Sequence, residues 1–119
     1  MELIKLTDKI QEKIDLLAKG RQELSSRAVA KANASSDYDR QLAVTLISLK
    51  NGVEHILDEV SIINPPASTS ERIARGLCYK QKLAMELADT LYRNAVIGMS
   101  ALEAEVNACQ SILKYLEEV

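Results

Sequence analysis

The strong helix-stopping signals in this 119-residue chain all fall between Asn51 and Ser70. Asn51-Gly52 is a turn or helix-stop pair, and Pro65-Pro66 prevents any helix from continuing. On either side, apolar residues recur at helical spacing. The chain therefore reads as a single domain, 1–119, with a helical arm over 2–50, a connector over 51–69 and a second arm over 70–118. Ser68-Thr69-Ser70 supplies residues suited to cap the second arm, with Glu71 placed for its first turn.

Composition points the same way. The chain has four Tyr but no Phe or Trp, and only four Gly and two Pro. Strands draw on β-branched and aromatic residues, and repeated hairpins need turn residues, so an all-α fold is expected.

In the second arm, Ala74, Ala88, Ala95, Leu102, Cys109 and Leu116 share one heptad row. Leu77, Ala84, Leu91, Gly98, Ile112 and Val119 share the row beside it, interrupted by Glu105. Cys78, Met85, Tyr92, Met99, Val106 and Leu113 form the next flank. Such a broadened seam suits a helix inside a bundle. Gly98 costs about 1 kcal/mol of helix propensity, which close packing of another helix would explain. The first arm starts with Leu3, Leu6, Ile10, Ile14, Leu17 and Leu24, thins into an Ala-rich stretch, and resumes at Tyr38, Leu42, Leu46 and Leu49. Ser35-Ser36-Asp37 is compatible with a break and a new cap, but a continuous helix, with or without a kink there, is favoured. Val53–Ile63 reads as a short amphipathic helix, with a strand as the alternative.

Each arm would be about 70 Å long at 1.5 Å per residue. A lone pair of such helices gives each only one neighbour. Burying a Leu yields roughly 2 kcal/mol, while ordering costs roughly 1.5 kcal/mol per residue. An Ala-rich seam does not clearly win, so the expected architecture is two long antiparallel helices that complete a bundle as a homo-oligomer, a dimer or higher. Leu91, Gly98, Leu102, Cys109, Ile112 and Leu116 are the candidate contacts between copies.

Several function classes recede. The net charge of −2 and pI of about 5.4 do not suit a nucleic-acid binder, which needs basic surface. No apolar run reaches the roughly 20 residues that span a bilayer, and Met1–Thr7 lacks the pattern of a signal peptide. Cys78 and Cys109 read as free thiols in a cytoplasmic protein. The single histidine, His55, has no spaced partners for catalysis or metal, so no enzyme, metal or cofactor is expected. Glu105 either marks the seam drifting to the surface or holds a cation such as Arg21. Asn107, Gln110 and Ser111 suit interhelical hydrogen bonds, and Tyr92 and Tyr115 the edge of a core.

One anion site is conceivable. Ser68, Thr69 and Ser70 open a helix whose first N–H groups favour negative charge. Arg72 and Arg75 follow, and Tyr79 is placed to stack on a base. Ordinary capping beside a solvated basic face accounts for the same residues.

Arg75-Gly76, Leu87-Ala88, Leu91-Tyr92 and the stretch Leu102–Tyr115 resemble small helical proteins encoded by bacteriophages and prophages. Those commonly end in an aliphatic residue, Asn, two variable residues and Gln-Ser, matched here by Val106-Asn107-Ala108-Cys109-Gln110-Ser111. The resemblance implies a viral accessory setting in the host cytoplasm and carries no catalytic residues. The expected function is thus a non-enzymatic phage protein acting by binding. As a host-defence inhibitor it would sequester a host protein or a small anionic nucleotide signal. The alternatives are an accessory of phage DNA replication or recombination, and a structural assembly protein.

Overall fold

The computed structural model describes residues 2–118, so Val119 of the apolar row lies outside the described residues. The elements run α1 (Glu2–Lys50), β1 (His55–Leu57), β2 (Val60–Ile62), α2 (Ala67–Leu77) and α3 (Tyr79–Glu118). The protein is mostly a long helix pair and 85% helical. None of the described helices is long and apolar enough to cross a membrane.

The α1 helix is unbroken through Ser35-Ser36-Asp37 and closes where Asn51-Gly52 was expected to close it. Gly52 takes a φ of +78°, its N–H bonds to Leu49 O, and the Val53 N–H reaches back to Ser48 O at 3.1 Å. This crossed pair of bonds satisfies the last carbonyls of the helix through a left-handed glycine.

The connector is not a short helix. His55–Leu57 and Val60–Ile62 pair antiparallel, with Leu57 opposite Val60, around a turn at Asp58 and Glu59. Those two residues have φ of +48° and +68°. A two-residue loop with both φ positive has the twist that joins adjacent strands, and the β-branched Ile56, Val60 and Ile62 suit the pleat.

The second arm also differs from expectation. It begins at Ala67, with Pro66 rather than a serine at the N-cap. Pro66 has no side-chain acceptor for the first N–H groups of the helix, and Thr69 and Ser70 donate their hydroxyls to its carbonyl at 3.0 and 3.1 Å. The arm is divided at Cys78, where φ is −93° and ψ is 23°. Bonds from Cys78 N to Ala74 O and from Lys82 N to Cys78 O continue through this point, so the winding is distorted without being severed. The distortion follows Gly76, the weakest helix former in the segment.

The fold forms two compact units. The connector unit, Ala30–Asp89, packs the second half of α1 against α2 and the start of α3. Tyr38, Leu49, Ala74 and Cys78 form its core, with Thr45 and Ser70 also buried. The terminal unit joins α1 up to Val29 with α3 from Thr90. Ile10, Leu17 and Val106 are its buried residues. There Gly20 faces Met99, whose sulfur occupies the space a Cβ would need.

The strained turn generates a test. Left-handed backbone costs an L-residue about 1–2 kcal/mol, most of which glycine avoids. Glu59→Gly should therefore stabilise the protein by roughly 0.5–1 kcal/mol in urea unfolding. Lower stability would contradict the turn geometry.

Candidate functional site

The candidate anion site lies wholly in the connector unit. Thr69 is exposed and Ser70 buried, and both hydroxyls donate to Pro66 O, so the groups expected to face an anion instead face a carbonyl. Arg75 donates to Glu71 Oε1 at 2.6 Å, an i,i+4 ion pair on the outer face of α2. Ser68 and Arg72 are exposed, and Tyr79 is exposed just after the distortion at Cys78, with the Lys80 amine 6.0 Å from its ring. A groove of about 290 Å³ beside the start of α2 is lined by Leu49, Lys50, Asn64, Pro65, Ala67 and Ser70, so of the candidate residues only Ser70 borders it.

Two polar contacts in this unit have no counterpart in the sequence reading. Thr45 Oγ1 and Cys78 Sγ are 3.4 Å apart in the core, and both are free of solvent. Ser48 Oγ lies 2.9 Å from His55 Nε2, joining α1 to β1. Ser48 and His55 are half-buried, and among the described residues no group of three His, Cys, Asp or Glu converges as a metal site. The first contact ties the end of α2 to α1, and the second ties β1 to α1.

The candidate contacts between copies lie in the terminal unit and divide into two sets. Leu102, Cys109 and Leu116 are half-buried, at the same spacing as buried Val106, and face α1. Leu91, Gly98 and Ile112 are exposed; Leu91 keeps 45% and Ile112 52% of its surface. A Cβ added at Gly98 would meet nothing within 4 Å, so none of the described elements uses the close approach that this glycine allows. Tyr115, expected at a core edge, is exposed, while Tyr92 is half-buried. The Ser111 hydroxyl bonds Asn107 O one turn earlier rather than reaching another helix.

Glu105 does hold a cation, and it is Lys13 rather than Arg21. Lys13 Nζ donates to Glu105 Oε2 at 2.7 Å. Arg21 instead borders a small groove with Leu17, Glu103, Val106 and Asn107. The hydrogen bond to Glu105 holds the Lys13 amine above its ordinary value of 10.5, with desolvation opposing it.

No protein-family model, curated protein or solved structure matches the chain.

A raised lysine pKa means that the pair's contribution to stability is complete below the ordinary lysine value. It is lost as pH rises through the shifted one. In Glu105→Gln the Lys13 midpoint, followed by NMR at the side-chain carbons, should fall back towards 10.5. An unchanged midpoint would remove Glu105 as the cause.

Proposed function

We infer that the chain is a non-enzymatic binding protein that self-associates, and that it acts as a phage accessory protein by occupying a host protein. The observation that carries self-association is uncovered apolar surface: Leu83, Leu87, Leu91, Ile97, Ile112 and Tyr115 on α3 all keep 45% or more of their surface. At about 25 cal/mol per Å² of apolar surface, covering such residues is a driving force that solvent does not supply.

The phage setting rests on the resemblance carried by Leu102–Tyr115. Between the two kinds of target, the geometry favours a protein over a nucleotide. The Thr69 and Ser70 hydroxyls are turned to Pro66 and Arg75 is held by Glu71, whereas the apolar surface of α3 suits a packed protein interface.

Three measurements test this. Light scattering at micromolar concentration should give a mass of at least twice 13.1 kDa, and a monomer mass throughout would overturn self-association. Calorimetry against a panel of nucleotides should give no saturable heat; a saturable signal would shift the target to a nucleotide. Expression in bacteria with defined defence systems should restore plating of a phage that one system restricts. Unchanged plating across the panel would remove the inhibitor reading.

A further inference from the structure

Among the described residues of the terminal unit few side chains are enclosed, Ile10, Leu17 and Val106 being the buried apolar ones. One other contact in its seam carries chemistry. Gly20 of α1 and Met99 of α3 are both half-buried, and the Met99 sulfur stands where a Cβ on residue 20 would be. Seen from that Cβ position, the two carbons bonded to the sulfur, Cγ and Cε, are 3.6 and 3.7 Å away, and the sulfur is nearer than either. The thioether bend therefore has its apex against α1. Its lone pairs lie on the side of the sulfur away from both carbons, so they are directed at the backbone around Gly20.

We propose that Met99 is a redox latch, at which oxidation of the thioether to the sulfoxide holds the terminal unit open. While α1 and α3 are closed, Gly20 covers the lone pairs that a hydroperoxide must reach. Local parting of the helices frees them. The O–O bond of hydrogen peroxide then breaks, the sulfur takes one oxygen and gives up two electrons, and the remainder leaves as water.

The product cannot return to the seam. Either sulfoxide epimer carries its oxygen on the side that faced α1. Reclosing would press that oxygen onto a backbone where the absence of a Cβ makes room for the bare sulfur alone. It would also withdraw a strong acceptor from water with no donor to receive it, because the Gly20 N–H is committed inside the α1 helix. A thiol-dependent methionine sulfoxide reductase reverses the step. Met85 is half-buried in the connector unit and lies within 4 Å of no glycine's Cβ position, so it serves as the internal reference.

The test uses the full chain in hydrogen peroxide, with oxidation read at each methionine by peptide mass spectrometry. Met99 should oxidise several-fold more slowly than Met85. Gly20→Ala, whose Cβ takes the place of the sulfur, should remove that protection. Once Met99 is oxidised, the chain should unfold at lower urea concentration, and the reductase should restore the midpoint. Met99→Leu keeps an apolar side chain without sulfur, so its midpoint should show no loss that the reductase reverses. Equal oxidation rates at Met85 and Met99 in the parent chain would overturn the latch. A reductase-reversible loss that persists in Met99→Leu would do the same.

Discussion

The structure depends on one repeating contact: within each unit, α1 and α3 run antiparallel and bury one narrow seam. In the terminal unit the covered positions of α1 fall at Leu6, Ile10, Lys13, Leu17, Gly20 and Leu24. On α3 they fall at Tyr92, Ala95, Met99, Leu102, Val106 and Cys109, with the same alternation of three and four. That spacing is the one that keeps a seam aligned between two helices. Its cost is width. Each helix covers one stripe of its neighbour, so few side chains are fully enclosed and the rest of each helix faces water. Gly20 shows how tightly the seam is packed where it does close, because the Met99 sulfur occupies its missing Cβ.

Much of this was legible from residues alone, for identifiable reasons. The first arm ended as expected because Gly52 can take the left-handed conformation that its stop requires. The long helices were legible because their apolar repeat runs for many turns. The facing row of α3 was not legible: Leu91, Gly98 and Ile112 lie one residue from a row equally rich in apolar groups, and only the mating helix decides between them. In the connector, Val53–Ile63 is too short for periodicity to separate helix from strand. The turn that settles it uses Asp58 and Glu59, neither of which announces positive φ as glycine would. The N-cap was misplaced because serines attract a cap assignment, while here Thr69 and Ser70 fold back on the proline that precedes the helix.

The polar contacts locate elements more than they create chemistry. Thr45 with Cys78 fixes where the second arm bends against α1, and Ser48 with His55 ties the first strand to the end of α1. Among the described residues, neither pair belongs to a group of three His, Cys, Asp or Glu that could hold a metal ion. Lys13 with Glu105 differs in that it lies at the margin of the seam with the carboxylate still 56% exposed. It joins the two helices of the terminal unit while leaving one polar group on the exposed side of α3.

The seam and the exposed stripe beside it are related by simple helix geometry. Val106 faces α1, while Glu105 is one position earlier, and successive residues turn by about 100° around an α-helix. The same offset relates Met99 to Gly98, Leu102 to Ala101 and Cys109 to Ala108, so the second stripe of α3 stands at close to a right angle to the first. A helix in a two-helix structure needs only one apolar face, whereas a helix in a four-helix cross-section needs two faces at about this angle. Within the terminal unit α3 has one neighbouring helix, so apolar side chains off the seam, Leu91, Ile97, Ile112 and Tyr115 among them, keep 45% or more of their surface.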